Sequence, residues 1–494
     1  MSTRIKPVTL LVVGVVLAGT FLRLYRLPQT VMFQGDQGRD AIVVKHLIKD
    51  FDPSLIGPVT SVGNMYLGPF YYYFMAPWLA LTYPNPIGPA YGIALMSILT
   101  LPLIFLMGRQ MVGQRAALIA LGIMALMDPV ILAGRFSWNP NPAPLVSLLI
   151  IWSLYKVIGD HKPKYLILTA VSFGILTQLH YLALIMGAVI AGLVIYSFVT
   201  DKNHRRGLLI YSGAAIAVYL ISWLPLAVFD ISHKGIIHQG FINFFLSPEE
   251  HIQPLTKLAV TLKGMEGRGL QLLSQMLGGP VYWFDRLLVY GSILYLGFLF
   301  LTKKINLKRE AGLLIVLVTI ISTVILTAFY SETVFDHYLL YATPAVALYW
   351  GYLAAKGWQE NLFGKVIVVL LLTLFAGYNL VHATTFAPAA PSIALFKMVT
   401  DTIRPHLKTG PYNLVLLSES KDYKGMNYRY FFETANHPPQ APDNYQGLKQ
   451  LVIIDELKVM DPLTIHLYEI QEPGLKKLVN TFTLPNGPTV YIYE

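Results

Sequence analysis

Cysteine is absent from the 494 residues, which excludes disulfides, thiolate metal sites and a cysteine nucleophile. Charge is scarce: Asp, Glu, Lys and Arg make up 13% of the chain, about half the usual globular share. A soluble protein of this length needs more charge to cover its surface, so lipid must cover much of this one. No Walker motif, Gly-x-Ser-x-Gly elbow or Rossmann glycine fingerprint occurs, which argues against an ATP-driven transporter, a serine hydrolase and a nicotinamide enzyme. His-Glu-x-x-His is also missing. No basic stripe interleaved with aromatics marks a nucleic-acid surface, so no nucleic-acid partner is expected.

What is present is apolar. Hydrophobic residues reach 55%, and the mean hydropathy is +0.54. Long apolar runs lie near 8–24, 87–107, 115–133, 143–158, 164–179, 181–199, 208–228, 284–301, 311–329, 338–355 and 364–381. The first has a basic start, but no small-x-small cleavage site follows it and Arg23 and Arg26 come directly after, so it reads as a retained span. The net charge of +10 sits largely in short connectors. The positive-inside rule therefore sets the topology.

The basic connectors are Arg109–Arg115, His161–Lys164, Asp201–Arg206, Lys303–Arg309 and Lys356–Lys365, and the N-terminus carries Arg4 and Lys6. All fall on one side if the aromatic segment 66–83 does not span. Its tyrosines, Trp78, Pro69 and Pro77 suit a helix lying at the interface. The expected protein is a polytopic α-helical membrane protein of about eleven spans. It sits in the cytoplasmic membrane with its N-terminus in the cytoplasm. The outer side receives 26–86, 134–142, the turn at 180, the loop 229–283, the turn 330–337 and everything after about 382.

The transmembrane part is expected to cover 1–381. From 382 to 494 charge returns, and alternation at Tyr412–Leu417, Leu451–Ile454 and Thr489–Tyr493 reads as strands. Ile393–Leu407 has helical spacing. This predicts a small extracytoplasmic α/β domain, a cap or lid in the plainest reading.

Polar residues gather on the outer side. The first loop carries Asp36-Gln-Gly-Arg39-Asp40-Ala41 ahead of an amphipathic helix. Asp36 could be an N-cap, but Gly35 and Gly38 would also allow a ligand close to the backbone. Arg39 and Asp40 bring more charge than a cap requires. The second loop holds Arg135, Trp138, Asn139 and Asn141, an arrangement able to bind sugar and phosphate: indole faces stack on sugar C–H bonds, and amides bond hydroxyls. Trp138 could equally be an interface anchor and the two Asn-Pro steps a helix start. His180 and Tyr181 lie where one run ends and the next begins. Glu332, Asp336, His337 and Tyr338 crowd the mouth of a span, where ionisable groups are rare unless paired or functional. The loop 229–283 includes an amphipathic stretch, Pro254–Met276, suited to an anionic membrane surface.

The order of these motifs resembles that of the GT-C glycosyltransferases of family 39 type, including protein O-mannosyltransferases and the aminoarabinose transferases of lipid A. Asp36 to Ala41 resembles their first-loop Asp-Glu-x-x-x-Ala. Gly68-Pro-Phe-Tyr-Tyr-Tyr resembles their interfacial Pro-Pro-Leu-Tyr-Tyr helix. Gly108-Arg109, then Gln114-Arg115-Ala-Ala-Leu and an Asn-Pro step, is similar to their second-loop region. His337-Tyr-Leu-Leu-Tyr-Ala-Thr-Pro344 is similar to their Arg-Tyr-Leu-Leu-Pro-x-x-Pro element. Two departures stand out: Gln37 replaces the family's second acid, and their second-loop Asp-Pro reads here as Asn-Pro at Asn139 or Asn141.

The resemblance implies a glycosyltransferase using a polyprenyl-phosphate-linked sugar, with a glycan, lipid or protein acceptor, working among membrane lipids. It implies catalysis by Asp36, with Asp40 next; the outer-side residues Arg39, Arg135, Trp138, Asn139, Asn141, His180, Tyr181, Glu332, His337 and Tyr338 are the candidates for substrate binding. No cofactor is specified, and a divalent metal is left open. A lipid-linked glycan transporter and a non-catalytic scaffold are the rival classes. A transporter should show mid-span charge and two matching halves, and neither is visible in the sequence.

Overall fold

The computed structural model describes residues 7–60, 65–246, 254–274, 277, 282–330, 333–387, 392–484 and 487–494. Apolar helices make up most of it. Six are long and apolar enough to cross a membrane: Pro7–Leu24, Gly88–Met111, Tyr181–Thr200, Trp283–Leu301, Ala311–Ala328 and Leu362–Phe386. A seventh is counted if Lys202–Ser222 and Leu224–Ser232, bent by 47° at their junction, form one span. The chain is a multi-pass membrane protein.

The expected count of about eleven is larger. The remaining four apolar runs form helices of 13, 16, 14 and 17 residues: Gln114–Leu126, Ala143–Ile158, Leu166–Leu179 and Thr343–Gln359. Each is shorter than the roughly 20 residues that cross a bilayer core. The run 115–133 is divided because Asp128-Pro129 starts a new helix, Asp128–Ala133, after an extended Met127. Proline at the first turn has no N–H to lose there and favours such a start.

The aromatic segment forms the helix Phe70–Thr82, too short to span by length, with Tyr71, Tyr72, Met75 and Leu79 buried. Arg23 closes the first helix. It is fully buried, and its guanidinium donates to Ser97 Oγ at 2.7 Å and to the carbonyls of Gly19, Met124 and Ala125. A buried cation is tolerated when its donors are satisfied in this way.

The C-terminal sheet has the order β1-β2-β4-β3, from Tyr412–Leu417, Gln450–Asp455, Leu478–Thr483 and Thr489–Tyr493. β1 and β2 run parallel, and the other pairs are antiparallel. β3 escapes the sequence reading because it lies largely exposed and carries little apolar alternation. β1 and β2 are buried throughout. One face, with Leu414, Leu416, Val452 and Ile454, joins the same core as Phe33, Val44 and Tyr71 of the membrane part. The other packs its own small core around Val415, Leu451 and Ile453.

The bridge between the two parts is the first-loop helix Gly35–Lys49, which meets the helix Met426–Thr434. Phe33 lies 5.9 Å from Tyr430 and 6.1 Å from Phe431, ring centre to ring centre. Tyr430 donates its hydroxyl to the Pro84 carbonyl at 2.9 Å, and Lys45 faces Glu433 at 3.5 Å. The C-terminal sheet is therefore packed onto the first loop rather than tethered above it.

Candidate active site

The first-loop helix starts one residue before Asp36. Its cap is Gln34: the Gln34 backbone N–H donates to Gln37 Oε1 at 2.9 Å, and the Gln34 side chain accepts from the Gln37 backbone N–H. The capping role considered for Asp36 is thus taken by the two glutamines. The residue that departs from the family's second acid closes the helix end.

Asp36 is left half-exposed. Arg39 donates from Nη1 to Asp36 Oδ1 at 2.9 Å and from Nη2 and Nε to Asp40 Oδ1 at 2.8 and 3.0 Å. Asp40 is 1% exposed, and Tyr72 donates its hydroxyl to Oδ1 at 3.3 Å, while Oδ2 has no partner. Burial pushes the Asp40 carboxyl up to about 6, against the pull of Arg39. For Arg39 burial acts the other way, and the two carboxylates outweigh it, so the guanidinium stays charged. Asp40 lies beneath the site and does not line it, so its placement suits holding Arg39, which in turn holds Asp36.

Asp36 opens onto a cavity of about 520 Å³. Four segments enclose it: the start of the first-loop helix, the stretch from Asp128 to Asn141, the turn at Asp336–His337, and the loop after β1 with Ser420 and Asp422. Trp138, Asn141 and His337 line it. The Trp138 and His337 rings are 4.3 Å apart. Burial lowers the His337 imidazole to about 4, more than Asp336 and Asp36 raise it, so it faces the cavity neutral at pH 7. A neutral imidazole can donate one hydrogen bond. Asn141 donates to the Phe136 carbonyl at 2.8 Å, and its buried Oδ1 has no partner.

Other expected residues lie outside the cavity lining. Arg135 is buried and spends its donors on the carbonyls of Leu22 and Tyr25, at 2.7 and 2.9 Å, and on Thr30 Oγ1 at 2.5 Å. It ties the end of the first helix to the second loop and is corrected here from a phosphate ligand to a strut. Asn139 donates to the Leu179 carbonyl at 2.6 Å, also a structural bond. Tyr181 donates to the Tyr66 carbonyl and packs against Trp223 and Phe241. His180 accepts from the Leu182 N–H and stacks with Tyr338 at 4.3 Å, behind His337. Glu332 lies outside the described residues.

Three lining carboxylates were not among the expected site residues. Asp128 begins its short helix at the cavity, and its Oδ1 accepts from the backbone N–H and hydroxyl of Thr384 at 2.8 and 3.0 Å. Asp128-Pro129 is an acidic Asp-Pro step at the cavity, separate from the Asn-Pro steps at Asn139 and Asn141. The signal was visible: a lone carboxylate before proline inside an apolar run. Asp422, with Ser420, comes from the carboxyl end of a strand beside a parallel partner, a recurrent place for ligand loops. Burial and the nearby Asp36 raise its carboxyl. Asp336, noted earlier only for its charge, is the third. Gly35 presses against this loop: a Cβ there would stand 1.6 Å from Asp422 Oδ2. The room once assigned to a ligand is filled by the C-terminal part.

Residues 67–225 match the family model described as dolichyl-phosphate-mannose-protein mannosyltransferase. No curated protein sequence matches the chain. The fold is similar to the Archaeoglobus fulgidus oligosaccharyltransferase crystallised with Zn and sulfate, at 14% identity and a TM-score of 0.59, over 97% of this chain and 72% of that one. It is also similar to ArnT from Cupriavidus metallidurans bound to undecaprenyl phosphate, at 15% identity and TM-score 0.57, over 98% and 97% of the two chains. The chain has the fold of the GT-C glycosyltransferases. A third member of this fold, the archaeal oligosaccharyltransferase AglB from Archaeoglobus fulgidus in complex with an inhibitory peptide and a dolichol-phosphate, matches at 13% identity and TM-score 0.55, over 98% and 74%. In the present chain the matched family region covers the aromatic helix and the second loop, and stops short of Asp36 and the C-terminal sheet.

Proposed function

We propose that the protein transfers a sugar from a polyprenyl-phosphate donor to an acceptor hydroxyl on the extracytoplasmic face, with inversion at the anomeric carbon and Asp36 as general base. The observation that carries this reading is the Asp36 carboxylate, half-exposed and fixed by Arg39 at the edge of the 520 Å³ cavity. The acceptor hydroxyl attacks C1, its proton passes to Asp36, and the C1–O bond breaks with its electron pair going to the departing lipid phosphate. Such a base contributes roughly a hundred- to ten-thousand-fold in rate. Trp138 offers an aromatic face to the sugar, Asn141 Oδ1 accepts from a hydroxyl, and neutral His337 donates to a phosphate oxygen.

Asp36, Asp128, Asp336 and Asp422 line the cavity, and no lysine or arginine does among the described residues. These are hard oxygen donors of the kind a divalent cation such as Mg²⁺ or Mn²⁺ takes, but among the described residues no three of them gather within 4.8 Å, so a donor phosphate would have to complete the site. Such an ion would stabilise charge on the departing phosphate.

The test is release of polyprenyl phosphate from a mixed pool of lipid-linked sugars by purified wild type and Asp36→Asn, each with and without a chelator. The expected outcome is release by wild type and a loss of about a hundred-fold or more in Asp36→Asn. Full turnover by the variant, or a trapped covalent sugar–enzyme intermediate, would remove the base assignment.

A further inference from the structure

Asp201 stands in the connector between the helices Ile185–Thr200 and Arg205–Ser222, in one of the strongly basic stretches of the chain. Its carboxylate nevertheless takes two imidazoles and, among the described residues, no lysine or arginine. His161 Nδ1 lies 2.6 Å from Oδ2; His204 Nδ1 lies 2.8 Å from Oδ2 and 2.9 Å from Oδ1. The neighbouring cations are turned elsewhere: Lys162 faces Asp160 at 3.8 Å, and Arg205 donates to the Phe198 carbonyl at 2.8 Å. The two rings stack with centroids 5.2 Å apart and planes 16° apart. His161 is held at φ +54°, a left-handed conformation that a residue with a Cβ adopts at a cost.

The three ligand atoms lie within 4.8 Å of one another. We infer that His161, Asp201 and His204 form a binding site for a first-row divalent transition metal, with Zn²⁺ as the best match. Two imidazole nitrogens and one carboxylate oxygen are donors of borderline softness, suited to Zn²⁺, Co²⁺, Ni²⁺ or Cu²⁺ and poorly suited to Mg²⁺ or Ca²⁺, which take oxygen. Three protein ligands leave a fourth tetrahedral position to water. Ligand atoms around Zn²⁺ at about 2.0–2.1 Å stand roughly 3.3 Å apart, so this group has to open by about half an ångström. Both histidines are exposed, so the opening meets little resistance. The ion displaces the protons that now join each Nδ1 to the carboxylate, because metal and proton compete for the same lone pairs.

The site is separate from the cavity. The helix Ala143–Ile158 begins just after cavity residue Asn141 and ends just before His161, and its 16 residues span about 24 Å. A metal here would fasten the connector before the helix Leu166–Leu179 to the one before Arg205–Ser222, two helices that pack together. Its role is a clamp on the basic face, independent of the chemistry proposed at Asp36.

The test uses tag-free, full-length protein in detergent, with Zn²⁺ alone as the probe. Wild type is expected to retain one Zn²⁺ per chain after dialysis more than His161→Asn/His204→Asn does, and to melt at higher temperature with Zn²⁺ while the double variant does not. The amides of that variant can still bond Asp201, so its fold should survive. Cu²⁺ substitution provides a second readout: electron paramagnetic resonance should show coupling to two imidazole nitrogens, reduced to one in His161→Asn. Equal metal retention by wild type and double variant, or a Cu²⁺ spectrum without imidazole nitrogen, would overturn the site.

Discussion

At the scale of single residues, the site depends on a short relay of charge. Asp40 is buried, Arg39 satisfies one of its oxygens, and the rest of the guanidinium fixes Asp36 at the cavity edge. His337 makes the local polarity measurable. Its imidazole is held at about 4, below the ordinary 6.5, chiefly by burial. The unfolded chain therefore takes up a proton near 6.5 that the folded chain refuses until about 4. This contribution to stability is complete above pH 6.5 and is lost as the pH falls through that window. Thermal unfolding of the detergent-solubilised protein should show His337→Gln flattening the fall in stability between pH 6.5 and 4 relative to wild type. An unchanged profile would mean that His337 is solvated and titrates normally. Asp36 was legible in the sequence because a charged group so close to lipid needs a reason. Arg135 was legible as unusual but not as a strut, because its carbonyl partners belong to the end of another helix.

Helix-to-helix contacts decide who shares the cavity. Gly38 faces the backbone of Met426 and Asn427: a Cβ there would lie 2.4 Å from Asn427 N and from Met426 C and O. Backbone cannot swing aside, so Gly38→Ala should lower stability by about 1–3 kcal/mol, as overpacking does. It should also speed proteolysis of the C-terminal segment, read by limited digestion of the folded protein. Gly35→Ala meets the carboxylate tip of Asp422 instead, which can rotate. That variant should melt near wild type yet transfer sugar more slowly, because Asp422 leaves its place. Identical proteolysis of Gly38→Ala and wild type would show that the two helices do not pack as described. Both glycines were noticed in the sequence, but only the tertiary packing shows that protein, not ligand, fills the space beside them.

For the molecule as a whole, orientation is the property that the basic connectors specify. The natural lack of cysteine makes it testable with single introduced thiols. Met460 is fully exposed beside the C-terminal sheet, and Lys303 is exposed in a basic connector. Met460→Cys should react with a membrane-impermeant maleimide in intact cells with a permeable outer barrier. Lys303→Cys should react only after the cytoplasmic membrane is opened. Labelling in the reverse pattern would place the cavity, and the donor lipid it would use, on the cytoplasmic side.

Features that depend on neighbours along the chain are legible in the amino-acid order alone. Hydropathy marked the apolar helices, aromatic and proline content set apart the segment that forms the helix Phe70–Thr82, and alternation marked β1, β2 and β4. Helical periodicity, capping and strand alternation are local, so a window of residues contains them. Which polar groups meet is set by tertiary packing. It drew Asp36, Asp128, His337 and Asp422 from four separate segments into one cavity, turned Arg135 and Asn139 to carbonyls, and placed Asp40 beneath Arg39. Facing and burial arise from the packing of segments far apart in sequence, and a local pattern does not encode them.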